Sequence, residues 1–293
     1  MKRETSVYQK IGYLFILPAF FLIAVFQLYP LVRNLVLSFY SWDMVTSAPR
    51  FLGLGNYREL LADENFYQSL KVTVLYSLGF VPVSMAMGLG LSVLMTKKSR
   101  MNVLYRTVFF SPTVTSMVAM SAVWMFIYHP QYGSLNTLLG LFGMEPVRWL
   151  NSPDTALLSL VIMNIWKRFG FCTVVYLSAL LNVSGEIQEA ATIDGASSFQ
   201  IFWRIKLPMV SPSTFMLVIM MTIESFQVFT QINVMTGGGP NFSTTNLVTY
   251  LYKQAFDQFR VGYGSAIAVV LLAVILLVNL IQMRFEKYVH YDA

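Results

Sequence analysis

The chain has 293 residues, of which 56% are hydrophobic and 12% charged, and its formal net charge is +6. Soluble globular proteins usually have about 25% charged residues, and the apolar residues here fall in runs of about 20, the length of a membrane-crossing helix. The composition therefore excludes an ordinary soluble enzyme or binding domain and predicts an all-α membrane protein. In such a protein excess Lys and Arg mark cytoplasmic loops, not a nucleic-acid surface. The single cysteine, Cys172, excludes an internal disulfide and a cysteine-based metal site.

Hydrophobic spans follow one another along the whole chain and predict a single transmembrane domain over residues 1–293. We place six spans, at about residues 11–31, 72–95, 107–128, 156–181, 210–234 and 264–283. The first run follows a short basic segment, but it is too long for a signal peptide and no small-residue cleavage site follows it. Lys and Arg are denser on the side of the N-terminus than on the opposite side. This bias places both termini in the cytoplasm.

A polar segment at residues 182–208 separates the fourth span from the fifth and lies on the cytoplasmic side of this topology. Ser184 is a candidate N-cap, and Glu186 and Glu189 occupy the first turns of a helix, where the helix dipole favours acidic side chains. Helical spacing puts four residues on one face, which two alanines keep thin: Ile187, Ala190, Ala191 and Asp194.

A second short helix is predicted within the same segment. Asp194-Gly195 is a good helix stop, because Gly accepts the left-handed conformation, and Ser197 or Ser198 can cap the next helix. Leu207-Pro208 is expected to break the chain before the fifth span. The pattern predicts a helix–turn–helix at the membrane surface. By itself it fits an ordinary amphipathic interfacial loop as well as a docking element.

The spacing inside this segment is more specific than its composition. It reads Glu189-Ala190-Ala191, three residues, Gly195, nine residues, then Ile205, Leu207 and Pro208, over 20 residues in all. This spacing resembles the signature cytoplasmic loop of the membrane subunits of bacterial ABC importers. Further stretches resemble the carbohydrate-type branch, the relatives of the maltose permease: Tyr132-Gly133-Ser134-Leu135-Asn136, Trp149-Leu150-Asn151, Phe226-Gln227-Val228-Phe229, Met235-Thr236-Gly237-Gly238-Gly239-Pro240, Thr244-Thr245 and Tyr250-Leu251-Tyr252. Thr230 departs from the pattern, since many relatives carry Asp there.

The resemblance implies a type I ABC importer permease fold and a role as the transmembrane permease subunit of an ATP-driven importer of sugars or oligosaccharides in the bacterial cell membrane. It implies a second homologous permease subunit, two ATP-binding subunits and an extracytoplasmic solute-binding protein as partners. The chain has no nucleotide-binding motif, paired catalytic carboxylates or nucleophile–base arrangement, so it is not expected to be an enzyme. ATP and Mg are expected on the partner ATPase, and no cofactor or metal on this chain. The residues that the resemblance assigns to ATPase coupling are Glu189, Ala190, Ala191, Asp194, Gly195, Leu207 and Pro208.

Polar groups at bilayer depth are candidates for a substrate site, and they lie on the two spans that flank the polar segment. The resemblance assigns these positions to substrate binding: Asn164, Lys167, Arg168, Phe171, Met221, Glu224, Ser225 and Val228. Structural roles stay open for two of them, because Lys167 can bond a neighbouring subunit's backbone and Glu224 can pair with Arg168 or Lys167. If Lys167 and Arg168 face the cavity, an acidic sugar is favoured.

Two other functions stay open at this point. One is the same machinery with glycerol-phosphate or another small polar solute as its substrate. The other is an ATP-independent secondary transporter or a membrane scaffold, neither of which needs a surface helix pair with a Glu-Ala-Ala face. The identity of the sugar also stays open, since the solute-binding protein usually sets it.

Overall fold

Helices form nearly all of the regular structure in the computed structural model, which describes residues 13, 15–43, 48–96 and 100–289. Five helices are long and apolar enough to cross a membrane, and a sixth crossing requires that one bent pair of helices count as a single span. The all-α membrane class is therefore confirmed. The described residues divide into two units, one with residues up to Asp63 and Leu251–Ala273, the other with Glu64–Tyr250 and residues from Val274 onward. Several residues of the topology argument lie outside the described part: Lys2, Arg3, Lys10, Lys97 and Lys98.

The first unit begins with helix α1, Phe15–Leu37, which buries none of its residues in the described part of this chain. A short antiparallel hairpin follows, with β1 at Tyr40–Ser41 and β2 at Arg50–Phe51, and Tyr40 opposite Phe51. The sequence analysis did not predict this hairpin. It is held by helix α2, Gly55–Ala62, whose Asn56 amide donates to the carbonyls of Ser38 and Tyr40 at 2.8 and 2.9 Å.

The second unit is built around a long helix pair, α3 at Glu64–Leu94 and α7 at Pro153–Leu181, which bury Phe80, Leu160 and Met163 between them. The remaining helices are α4 Arg100–Val114, α5 Met117–Ile127, α6 Ser134–Leu141, α8 Gly185–Ile193, α9 Ser198–Ile201, α10 Leu207–Met209, α11 Ser211–Phe226, α12 Thr230–Met235, α13 Leu247–Tyr252 and α14 Val261–Met283. Helices α13 and α14 each continue from one unit into the other.

The third predicted span, residues 107–128, is made of two helices and not of one. Helices α4 and α5 cover it, and they are bent by 102° relative to each other. Pro112 lies in the last turn of α4, where it supplies no backbone N–H and disrupts the helical ladder. The bend leaves backbone carbonyls near the break without hydrogen-bond partners from a continuing helix. These carbonyls bind a predicted site residue, as described below.

Helices α4 and α7 approach each other unusually closely beside this bend. A Cβ added to Gly170 would lie 1.8 Å from the carbonyl oxygen of Phe109, so only glycine fits there. The Thr113 hydroxyl donates to the carbonyl of Lys167 at 3.1 Å. The contact places the polar section of α7 against the break between α4 and α5.

Candidate functional site

The polar segment forms the helix–turn–helix that its sequence predicts. Helix α8 ends at Asp194, and Gly195 follows with a φ of +84°. The Ala196 N–H donates to the Ala191 carbonyl at 2.9 Å and the Gly195 N–H to the Thr192 carbonyl at 3.1 Å, which is the Schellman pattern of helix termination. The turn therefore needs glycine at residue 195, because a left-handed backbone is strained for other residues.

The second helix of the pair begins as expected but ends differently. Ser197 forms a capping box, in which its hydroxyl accepts from the Gln200 N–H at 3.3 Å and its own N–H donates to Gln200 Oε1 at 2.8 Å. Ser184 makes no such bond with its side chain at the start of α8. The predicted break at Leu207-Pro208 is wrong, since a π-helical turn at Phe202–Lys206 leads directly into α10 and helical geometry is lost only at Val210. Proline is tolerated in the first turn of a helix, where its missing N–H would have no partner.

This helix pair is a surface without a partner in the described chain. No residue of α8 is buried, and Glu189, Ala190 and Asp194 are exposed while Ala191 is half-buried. Large apolar side chains are also exposed, namely Ile193 at 85%, Phe199 at 72% and Trp203 at 52%. Exposed apolar groups among charges mark surfaces that contact another protein or a membrane.

A cavity of about 500 Å³ lies in the second unit, where α11, α12 and the start of α5 meet. Its lining mixes apolar side chains with a carboxylate, amides and a hydroxyl: Met117, Met220, Ile223, Glu224, Gln227, Val228, Phe229, Thr230 and Gln231. Of the predicted substrate residues, Glu224 and Val228 lie in this lining.

Arg168 on α7 reaches across to Glu224 on α11. Its Nε donates to Glu224 Oε1 at 2.6 Å, and the two side chains are 27% and 29% exposed. The guanidinium lies 6.0 Å from the ring centre of Phe171. One of the pairings left open by the sequence is therefore present, and it joins the two helices that lead into the surface helix pair.

Lys167 is buried at 4% exposure, and the cavity lining just described does not include it. Its ammonium donates to the carbonyl oxygens of Pro112 and Thr115 at 2.8 and 2.7 Å. These are carbonyls at the break between α4 and α5. The sequence analysis considered a bond from Lys167 to the backbone of a neighbouring subunit, but the lysine bonds the backbone of its own chain. This position favours a structural role over substrate contact.

Of the other predicted substrate residues, Asn164, Met221 and Ser225 are buried and Phe171 is half-buried, and none of the four is in the lining of the cavity. The Ser225 hydroxyl is hydrogen-bonded to Ser77 Oγ and to the Thr222 carbonyl, each at 2.7 Å, and Met221 is 1% exposed. Asn164 is fully buried, and the described residues give neither atom of its amide a hydrogen-bond partner.

Sequence reasoning missed Gln231, which lies within the predicted fifth span. Its amide donates to the Tyr76 hydroxyl at 3.3 Å, which ties α12 to α3 at the edge of the cavity. The rule that polar groups at bilayer depth are functional would have found both residues. They are not among the predicted positions because the resemblance, which selected those positions, does not include them.

The comparisons with known proteins agree with this architecture. Residues 81–291 match a family model described as binding-protein-dependent transport system inner membrane component. The chain belongs to this family. The match covers the bent pair, the surface helix pair and every helix that lines the cavity. This permease is also 36% identical to the probable ABC transporter permease protein YurN of Bacillus subtilis, over 94% of this chain and 96% of that protein.

A relative with a named solute and a solved structure extend the comparison. The permease is 31% identical to the trehalose/maltose transport system permease protein MalF of Thermococcus litoralis, over 95% of this chain and 94% of that one. A chain from a bacterial alginate ABC transporter, crystallised with an alginate pentasaccharide-bound periplasmic protein, superposes with a TM-score of 0.85 at 21% identity and covers 97% of this permease. This likeness shows the type I ABC importer permease fold. The protein is thus a multi-pass membrane permease of the sugar ABC importer family, and the family resemblance seen in the sequence is confirmed.

Proposed function

We propose that this permease moves neutral sugars or oligosaccharides inward across the bacterial cell membrane, driven by ATP hydrolysis on partner subunits. The observation that carries the proposal is the connection between two features. The exposed helix pair α8–α9 lies between α7 and α11, and those same helices are joined by the Arg168–Glu224 ion pair beside the cavity. A force on the helix pair therefore acts first on α11, which lines the cavity, and on α7, which is paired with it.

The coupling step follows from this connection. Helix α8 docks on a separate ATPase subunit, with Glu189 facing a basic residue and Ala190 and Ala191 allowing close approach. Gly195 sets the angle to the second helix, and Leu207 and Pro208 continue the segment helically toward α11, so that movement is passed to the membrane. ATP and Mg bind the ATPase and not this chain. Closure of two ATPase subunits then moves α7 and α11 and opens the cavity to alternate sides.

The complete importer holds a second homologous permease, two ATPases and an extracytoplasmic solute-binding protein. A single chain of this kind presents one surface helix pair and so reaches one ATPase, which leaves the other ATPase to the second permease. In this assembly both termini and α8–α9 face the cytoplasm, as the Lys and Arg bias indicates.

The charges beside the cavity favour a neutral sugar over an acidic one. Glu224 compensates Arg168, and Lys167 is bound to backbone carbonyls, so neither cation is left for a substrate carboxylate. The same reasoning disfavours a glycerol-phosphate substrate. Gln227 and Thr230 offer an amide and a hydroxyl for sugar hydroxyls, and Phe229 offers a ring for stacking. Relatives of equal identity are named for trehalose and maltose and for sn-glycerol-3-phosphate, so the choice of a neutral sugar rests on these charges. Membership of the family disfavours an ATP-independent transporter or scaffold.

The proposal is tested by co-expressing the permease with the transport genes that neighbour it and reconstituting the purified complex in liposomes. We expect an ATPase to co-purify, and uptake of labelled maltose, trehalose or lactose to require ATP. Glu189→Lys should reduce both ATPase retention and uptake by about tenfold or more, because it reverses a charge at a contact surface.

Glu145→Lys is the matched control, since Glu145 is also exposed but lies in the loop between α6 and α7, remote in sequence from the helix pair. It should leave ATPase retention unchanged. Absence of any co-purifying ATPase, or uptake that continues without ATP, would refute the proposed function.

A further inference from the structure

A polar notch of about 260 Å³ lies inside the surface helix pair, between the end of α8 and the π-helical turn that follows α9. It is lined by Asp194, Gly195, Ala196, Gln200, Ile201, Arg204 and Ile205. The cavity beside α11 and α12 is separate, and no role has been assigned to the notch.

The walls of the notch are held by local bonds. Gly195 terminates α8 in a left-handed conformation, and the capping box of Ser197 and Gln200 fixes the start of α9. The π-helical turn Phe202–Lys206 holds one more residue per turn than an α-helix, and such turns are frequent at functional sites. The notch is therefore a preformed feature of the helix pair, not a gap between mobile segments.

Two opposite charges line this notch without being paired. Arg204 and Asp194 are both exposed, and neither side chain forms a hydrogen bond or an ion pair with the residues that the structure describes. The Gln200 side chain, in contrast, already bonds the Ser197 N–H at 2.8 Å. The notch thus offers a free cation and a free anion to a partner.

Charge is also segregated along the whole segment. The charged residues of α8 and its end are all acidic, namely Glu186, Glu189 and Asp194, and those of the π-helical turn are all basic, namely Arg204 and Lys206. A partner that covers this surface removes water from both groups. Burying an unpaired charge is strongly unfavourable, so a stable partner must present the opposite pattern.

We propose that the notch receives an acidic side chain of the ATPase subunit, which pairs with Arg204, while a basic residue of the same subunit faces Asp194. This inference rests on the proposed function and adds a second contact of opposite sign to the one at Glu189. Two contacts of opposite sign fix the orientation of the helix pair on the ATPase, since a rotation separates both pairs and an exchange of the two contacts brings like charges together. The contact at Arg204 therefore lets the ATPase rotate the helix pair as well as translate it.

The test measures the affinity of the purified ATPase for the permease in nanodiscs, at several salt concentrations. Arg204→Glu should weaken binding by about tenfold or more, and Arg204→Gln should weaken it less and reduce its salt dependence. Arg284→Glu makes the same charge change on an exposed arginine just beyond α14 and should stay within about twofold of wild type. Thermal unfolding of each variant in nanodiscs shows that the fold is retained, and Arg204→Gln replaces Arg204→Glu if the latter unfolds.

The outcomes separate this inference from the proposed function. If wild type binds the ATPase and both Arg204 variants bind within twofold of it, the notch contact is wrong while the coupling role stands. If wild type binds no ATPase, the proposed function fails and the notch contact with it.

Discussion

Replacing Lys167 with methionine distinguishes a structural lysine from a substrate-binding one. Methionine keeps much of the length of the side chain and removes the ammonium. The Thr115 carbonyl loses a donor at 2.7 Å, whereas the Pro112 carbonyl keeps the Thr115 hydroxyl at 2.6 Å. The loss is therefore close to that of one partly buried hydrogen bond from a charged donor, which is worth about 1–3 kcal/mol. Removing a buried ammonium gives some of this back, so we expect a net destabilisation of about 1–2 kcal/mol.

The assay pairs thermal unfolding of the purified permease with uptake kinetics of the reconstituted importer. A loss of about 1–2 kcal/mol corresponds to a melting temperature lowered by roughly 2–8 °C for a domain of this size. The KM for the sugar should change by less than about twofold, because Lys167 is not in the described cavity lining. Lys167→Arg is a poor substitute, since the larger guanidinium does not fit the same site against α4. An unchanged melting temperature together with a KM raised tenfold would refute the structural role.

Further predictions concern the helix contacts around the site. Arg168→Gln and Glu224→Gln should each lower uptake. A double-mutant cycle on the free energy of unfolding, obtained from the melting temperatures, should give a coupling of about 1 kcal/mol, because the pair is partly exposed. Additive effects of the two substitutions would refute the pairing. Gly170→Ala should abolish a folded permease, because its Cβ would overlap the Phe109 carbonyl, and Gly140→Ala, which meets nothing within 4 Å, is the control; size-exclusion profiles compare them. Gly195→Ala should leave expression intact but reduce ATPase retention several-fold, because alanine is strained at a φ of +84° by about 1 kcal/mol; equal retention would show that the turn tolerates another angle.

Local chemistry explains why the surface helix pair could be predicted in detail. Its helix start, its glycine stop and its second cap depend on neighbours within a few residues, as the Ser197 capping box shows. The fixed spacing from Glu189 to Pro208 then indicated the family. The break at Leu207-Pro208 was wrong, because proline is tolerated in a first turn and the chain could continue helically.

The site beside the cavity was less predictable, because it depends on where helices cross. The sequence marked Lys167, Arg168 and Glu224 as polar residues at bilayer depth, but their partners are more than 50 residues away in the chain. Only the bend between α4 and α5 shows why Lys167 is needed, since that bend exposes the carbonyls that the ammonium satisfies. Gln231 likewise bonds a residue that is distant in the chain, Tyr76 on α3.

The sequence by itself thus determined the membrane class, the positions of most spans and the surface segment that defines the family. Apolar run length, Lys and Arg bias and helix caps are properties of neighbouring residues, so they can be recognised without knowledge of the tertiary structure. The tertiary structure alone decided that Arg168 is the cation that pairs with Glu224 and that Lys167 is the cation that supports the break in the third span. It also decided that Arg204 and Asp194 line the same notch. These pairings are set by helix crossings and bends, which bring together residues whose separation in sequence carries no signal.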